Sequence, residues 1–171
     1  MRFGKRDKTV RYLGNKIVVA ALLVAASMAA VSSWATEDYG IVGVWNSEDK
    51  DARIEIFNCA DKVCGKIVWM DEPYYTVKDK EGKPGDLKLD IRNPDPSLRP
   101  RTILGLQILN DFTFAGGNRW TGGKVYDPKT GNTYSGAMSL VTNNKLYLRG
   151  FVGFSLFGRT TTWTRADNET K

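Results

Sequence analysis

The sequence predicts an all-β protein: a single small antiparallel up-and-down β-barrel of about eight strands, with one long proline-rich loop. Three observations predict it. Beyond residue 36 no useful stretch repeats its apolar residues at the helical period; short alternating runs recur instead. Gly, Pro, Asn and Asp, the residues that turn a chain tightly, separate those runs. The runs fall within the 136 residues that follow Ala35, a spacing that suits a meander closed on itself. A two-sheet sandwich is the alternative.

The first 35 residues read differently from the rest. Arg2, Lys5, Arg6, Lys8, Arg11 and Lys16 face the single acid Asp7, and the run IVVAALLVAASMAAV from Ile17 to Val31 carries no charge. Ser33-Trp34-Ala35 then offers a small-x-small site before Thr36-Glu37-Asp38. A basic region, an apolar stretch and a small-residue site describe a secretory signal peptide cleaved after Ala35. The apolar run is shorter than the roughly 20 residues that cross a bilayer. The expectation is a leader over 1–35, one domain over 36–171, and a periplasmic or secreted product without a membrane span.

Removing the leader changes the charge argument. Six of the 25 basic residues and one of the 19 acids belong to it, which takes the net charge from +6 to +1. A nucleic-acid footprint needs clustered positive charge on the folded domain, and no such cluster is present, so nucleic acid is not an expected partner.

The first strand centres on Gly43-Val44-Trp45. Residues 52–59 (ARIEIFNC) and 63–69 (VCGKIVW) then alternate as a hairpin. With Asp61-Lys62 as a two-residue turn, Cys59 opposes Cys64 in a non-hydrogen-bonded pair about 4.5 Å apart at Cα, a separation a disulfide accepts. They are the only cysteines, and an oxidising compartment makes a disulfide the default. This register sets Ile54, Ile56, Ile67 and Trp69 on one face and the cysteines on the other with Arg53, Glu55 and Lys66. The bridge therefore clips the outside of the hairpin.

Residues 71–101 hold five of the six prolines and the mixed-charge run KDKEGKPGDLKLD. A loop this long usually has a role; one helical turn is expected at Asp95 to Leu98. Strands resume over Thr102 to Phe114, broken at Gly105 and Asn110-Asp111. Asn118 to Asp127 comes next, with a bulge or a close contact expected at Gly122-Gly123. Pro128-Lys129-Thr130-Gly131 is a turn, Asn132 to Val141 a strand, and Asn143-Asn144 a turn. Lys145 to Gly153 and Arg159 to Arg165 complete the set. Tyr147, Arg149 and Phe151 share a face opposite Leu146 and Leu148, so one face lines a core or cavity and the other needs a cover. The 71–101 loop is the expected cover.

Three stretches resemble a known family: CxxxxCGKIVW at 59–69, RNPDPSLRPR at 92–101, and WTGGKVYDPKTGNTY with LYLRGFVGFSLFGRTTTWTR toward the end. Over Gly43 to Arg165 they are similar to the bacterial exported proteins grouped as domain of unknown function 2147. The resemblance implies a bacterial envelope location and a small β-barrel, and it implies no activity. A looser likeness is to the calycins (lipocalins and avidins). It rests on Gly43-x-Trp45 in the first strand and a basic residue, Arg165, in the last. It implies that Trp45 closes one barrel end with Arg165 packed over the indole, and that the barrel interior takes an apolar ligand.

The chain has no His, which removes the usual neutral-pH base and the commonest nitrogen ligand for metals. With Cys59 and Cys64 bridged, thiolate chemistry goes too, so no catalytic residue, cofactor or metal is expected. Asp71-Glu72, Asp90, Asp95 and Asp127 are acids in loops, where solvation is the ordinary outcome; Asp127 reads as a turn residue bonding local backbone. Their spacing gives no sign of a paired-carboxylate glycosidase. Lysines interleaved with Asp79, Glu81 and Asp86 argue against calcium.

Aromatics are the better clue to function. Trp69, Tyr126, Tyr134, Tyr147, Arg149 and Phe151 are the candidate ligand-binding residues. Arg149 either projects into the barrel, where it must be paired or meet an anion, or sits on the outer wall. Arg99, Arg101 and Arg159 read as loop or edge residues with local partners. The expected function is binding of a small apolar or amphipathic ligand in the barrel mouth. The alternatives are a cell-envelope interaction or assembly factor with a filled barrel, and a hydrolase.

Overall fold

A computed structural model describes residues 40–166; the leader expected over 1–35 lies outside the described residues. Eight strands form one closed antiparallel barrel in chain order. They are β1 (Gly43–Asn46), β2 (Ala52–Cys59), β3 (Lys62–Met70), β4 (Gln107–Phe114), β5 (Arg119–Asp127), β6 (Asn132–Thr142), β7 (Lys145–Phe151) and β8 (Gly158–Arg165). Among the described residues the helical element is a 3-10 turn over Pro96–Leu98. Asp95 caps it, its carboxylate accepting from the Ser97 amide at 2.9 Å.

Because each strand reverses the last, the connections alternate between the two barrel ends. The tight turns after β2, β4 and β6 share one end with the start of β1 and the finish of β8. The connections after β1, β3, β5 and β7 share the other, the loop end. The seam between β1 and β8 is short, pairing Trp45 with Arg165 and Asn46 with Thr164. At that seam the Arg165 guanidinium lies 4.3 Å from the Trp45 ring centroid. It also donates to the carbonyls of Asn143 at 2.6 Å, Val42 at 3.1 Å and Gly40. The Trp45 indole N–H donates to Ile41 O at 2.8 Å. A cation over an indole face contributes about 0.5–2 kcal/mol, and here it joins first strand to last.

The inward faces meet in a packed core that includes Trp45, Ile56, Leu109, Phe112, Trp120 and Leu146, each 0–1% exposed. Glycines make room for the large members. A Cβ at Gly65 would lie 2.8 Å from Leu109, one at Gly136 would lie 2.6 Å from Phe112 Cζ, and one at Gly123 would fall on the same ring. Interiors packed this tightly do not admit an extra methyl without strain. The middle of this barrel is filled by its own side chains.

Two expectations for the hairpin are corrected. Its turn is Ala60-Asp61, with Ala60 at φ 56°, so Cys59 pairs with Lys62 and Cys64 opposes Phe57. Cys59 and Cys64 are bridged diagonally across the outer face, with Cα atoms 5.8 Å apart. The pairing slips by two residues, which leaves each side chain on its face because the strand period is two. Opposite Ile56 the slip places Gly65, whose lack of a side chain admits Leu109. The second correction concerns Trp69. The register shifts between Arg53 and Ile54, so Ile54 pairs with Ile67 while Arg53 pairs with Trp69. A bulge turns the residues beyond it to the other face. Trp69 is thus on the outer wall, 39% exposed, with the Arg53 guanidinium 5.0 Å from its ring.

Between β3 and β4 the chain pairs with itself through Tyr74 with Leu87 and Leu89 with Thr102. It then joins β3, the Ile67 amide donating to Leu106 O at 3.0 Å and the Gly105 amide to Ile67 O at 2.8 Å. These pairings hold residues 102–106 in the connection, so β4 begins at Gln107 rather than at Thr102. Its position also corrects the expected cover. The connection docks beside Tyr126 on β5, whereas Tyr147 on β7 stays 37% exposed with Lys145 Nζ 5.2 Å from its ring.

Candidate functional site

The site grows from one buried carboxylate. Asp90 is 0% exposed, and burying a charge is costly unless it is paired and hydrogen-bonded. Four donations satisfy it. Tyr126 OH donates to Oδ1 at 2.5 Å. Asn93 Nδ2 and Arg101 Nε each donate to Oδ2 at 2.9 Å, and Arg101 Nη2 does so at 2.8 Å. Asn93 ties the cluster together, since its Nδ2 also donates to Tyr126 OH at 3.0 Å. Its Oδ1 accepts from the Asp95 amide at 2.9 Å and its carbonyl from Arg99 Nε at 2.8 Å.

Local sequence explains the arrangement. The Asn93 amide bonds Asp90 O at 3.0 Å, closing a tight turn that aims both side chains the same way. Pro94 and Pro96 stiffen the exit, and the 3-10 turn brings the chain back so that Arg101 meets Asp90. Tyr126 comes from β5. Its neighbour Val125 packs toward the interior against the place where a Gly136 Cβ would be, so Tyr126 faces outward under the connection. Burial, reinforced by the hydrogen bond to Asp90, raises the Tyr126 phenol above the ordinary 10.0.

Beside this cluster lies an open cleft of about 380 Å³. Pro94, Leu98 and Leu106 supply apolar walls; Asn93, Arg101, Gln107, Asn110, Tyr126 and Thr133 supply polar ones. Arg101 is 37% exposed at its side chain although its partner Asp90 is at 0%, so the guanidinium bridges buried charge and cleft. Ligand sites usually occupy about 300–1,000 Å³, which puts the cleft at the small end. No cluster of metal-ligating side chains occurs among the described residues.

Of the six residues proposed from sequence for ligand contact, the structure places Tyr126 at the cleft and the others elsewhere. Trp69 stacks under Arg53 on the outer wall. Tyr134 faces the interior near the loop end, where a Gly150 Cβ would sit 3.6 Å from it. Tyr147 is outside. Phe151 pairs with Gly158 at the foot of the β7–β8 loop. Arg149 is on the outer wall, its Nε donating to Ser155 O at 2.9 Å and its Nη1 to Thr160 Oγ1 at 2.9 Å. Asp90 corrects a sequence expectation, being buried rather than solvated. Asp127 holds its own turn, bonding the Lys129 amide at 2.9 Å and Thr130 Oγ1 at 2.8 Å. Sequence reading missed Asn93, Arg101 and Asn110 as cleft residues. For Asn93 and Arg101 the available signal was the density of turn-forming and charged side chains within RNPDPSLRPR.

Residues 43–165 match the family described as "Uncharacterized protein conserved in bacteria (DUF2147)". The chain belongs to the DUF2147 family. Among solved structures, this DUF2147 barrel is similar to one titled "Protein HP1028 from the human pathogen Helicobacter pylori belongs to the lipocalin family". The two are 24% identical, with a TM-score of 0.61 over 75% of this chain and 84% of that one. The likeness shows a shared fold, the lipocalin-like barrel. No curated protein sequence matches the DUF2147 chain significantly.

Proposed function

We propose that this protein is an exported, non-catalytic binding protein whose small amphipathic ligand sits in the cleft under residues 90–107, outside the barrel wall. Export is supported by the basic and apolar pattern of the first 35 residues and by a disulfide in a two-cysteine chain. Binding is supported by the lipocalin-like fold.

The observation that carries the location is the juxtaposition at Arg101. One side of the cleft is apolar, through Leu98 and Leu106, and the other offers a guanidinium held in place by a buried carboxylate. A preorganised cation loses little freedom on binding. The chemistry selects a ligand with a short apolar body and an acceptor group, such as a carboxylate, directed at Arg101. The barrel interior suits it less, because Phe112 already fills the space over Gly123 and Gly136.

The test is native mass spectrometry of the protein taken from the cell envelope, with thermal shift against short amphipathic carboxylates and the matching amines. The carboxylates should raise the melting temperature and the amines should not. Asn110→Trp fills the cleft from its rim without touching Asp90 and should abolish the effect. Carboxylate binding that survives Asn110→Trp overturns the location, and absence of any co-purifying or added ligand overturns the binding function. Cell fractionation and N-terminal sequencing test export and cleavage after Ala35.

A further inference from the structure

The connection between β7 and β8 is the least expected surface of the molecule. Residues 151–158 read FVGFSLFG, without one charge. Val152 is 69% exposed, Phe154 81%, Leu156 81% and Phe157 72%. Single exposed apolar residues need no explanation, but a contiguous group marks an interaction site. This group stands at the loop end of the barrel and projects from it.

The loop is held in shape. Arg149 Nε and Nη2 donate to Ser155 O at 2.9 and 2.6 Å, and Nη2 also reaches Leu156 O at 3.3 Å. The Phe157 amide donates to Phe154 O at 3.0 Å, and the Val152 amide to Phe157 O at 3.4 Å. The carbonyls of Phe154, Ser155, Leu156 and Phe157 therefore all have donors from the protein itself. That matters for what the loop can enter. In hydrocarbon a backbone group without a partner costs several kcal/mol; these four carbonyls need none from water, while the amides of Gly153, Phe154, Ser155 and Leu156, which have no acceptor among the described bonds, confine entry to the side chains at the hydrated bilayer surface.

We propose that this loop is a membrane-contact element, inserting Phe154, Leu156 and Phe157 into the surface of a phospholipid bilayer. The area argues for a bilayer over a second copy of the chain. Two Phe, one Leu and one Val expose roughly 500 Å² in all, whereas a stable protein interface takes about 800 Å² from each partner. Shape argues the same way: a convex tip needs a partner that deforms around it. Charge fits as well. Among the described ion pairs Arg149 has no carboxylate partner, so its positive charge stands at the base of the tip, at the depth of lipid phosphates. Phe and Leu are the side chains that elements lying on a membrane set into the boundary between headgroups and acyl chains. The inference stands whether or not the cleft takes a ligand.

The test places an environment-sensitive fluorophore on the full, oxidised chain through Phe154→Cys, and separately through Asn143→Cys at the opposite end. Each labelled protein is mixed with vesicles of phosphatidylcholine and phosphatidylglycerol. Emission at position 154 should rise several-fold and shift to the blue, while position 143 stays as in water. The apolar run at 17–31 does not confuse the reading, because the label reports polarity at its own position. Serine at Val152, Leu156 and Phe157 together, with the label kept at 154, should remove the rise; these side chains are outside the core, and circular dichroism checks the fold. No change at 154, or an equal change at 143, overturns the proposal. So does a rise at 154 that tracks protein concentration without vesicles, which would identify a second copy as the occupant.

Discussion

Replacing Gly123 by alanine tests whether the barrel is truly full. Gly123 pairs with Gly136 across β5 and β6, and a Cβ at either position meets the Phe112 ring. Gly123 is outside the left-handed region that favours glycine, so its backbone accepts alanine without strain. Exchanging a strand glycine for alanine should by itself stabilise by about 0.5–1 kcal/mol, while forcing a methyl into a packed core costs about 1–3 kcal/mol, and three Phe112 ring atoms at the place of this methyl put it in the upper part of that range. The net expectation for Gly123→Ala is a loss of roughly 1–2 kcal/mol. Phe112→Leu alone should cost a similar amount, roughly 1–2 kcal/mol, through lost burial. Combined, the smaller leucine vacates the place the methyl needs. The double variant should then be no less stable than Phe112→Leu, a favourable coupling of about 1–2 kcal/mol. Urea unfolding of the oxidised proteins measures all four corners of the cycle. Gly123→Ala within about 0.5 kcal/mol of the parent, or strictly additive losses, would show a yielding interior. The core would then have room for a ligand, and the argument for the external cleft would fail.

Three further outcomes rest on the same geometry. Tyr126→Phe removes a hydroxyl that donates to the buried Asp90 carboxylate. It should cost about 1.5–3 kcal/mol and speed amide exchange in residues 88–106, read by mass spectrometry. The raised Tyr126 pKa adds a pH signature. The folded state holds that proton more tightly than the unfolded one, so its stabilisation is complete below the ordinary 10.0 and declines as pH rises through the folded value. Alkaline unfolding curves should show the decline in the parent and less of it in Tyr126→Phe. Replacing Cys59 and Cys64 together by alanine should cost about 2 kcal/mol, the small effect expected of a short closed loop; a loss twice as large would mean that the bridge also shapes the native hairpin. Arg165→Ala should cost roughly 2 kcal/mol through the lost cation–indole contact and backbone bonds, and it should shift the emission of Trp45; unchanged emission would contradict the stacking.

The strand count and the positions of most turns were legible because each depends on a few neighbouring residues. Pro128 to Gly131 and Asn143-Asn144 carry their turn chemistry locally, and the alternation around Leu146 and Leu148 marks the inward face. The disulfide was legible too, because only two cysteines exist. The register was not. Choosing Ala60-Asp61 over Asp61-Lys62 depends on where Leu109, more than forty residues away, finds room beside Gly65. Trp69 was misplaced because a bulge at Arg53–Ile54 leaves no mark in the apolar pattern. Asp90 was the deeper miss. Its burial depends on Tyr126, 36 positions downstream, and nothing local distinguishes it from the solvated acids nearby. For Arg149 the alternation identified the face it shares with Tyr147, but which side of the sheet that face became depended on how the barrel rolled.

Strands β7 and β8 match over seven residue pairs, whereas β1 and β8 match over two. A cylinder joined so unevenly breathes along its weakest line, and here that line runs beside Trp45. Fleeting separation of the first and last strands is therefore the cheapest way for solvent to reach the indole cluster. Arg165 is the buckle at one end, and Glu48, accepting from the Thr162 amide and from Arg159, is the clasp at the other; the frequency of those openings, and with it the susceptibility of the folded protein to proteases, should follow these two contacts.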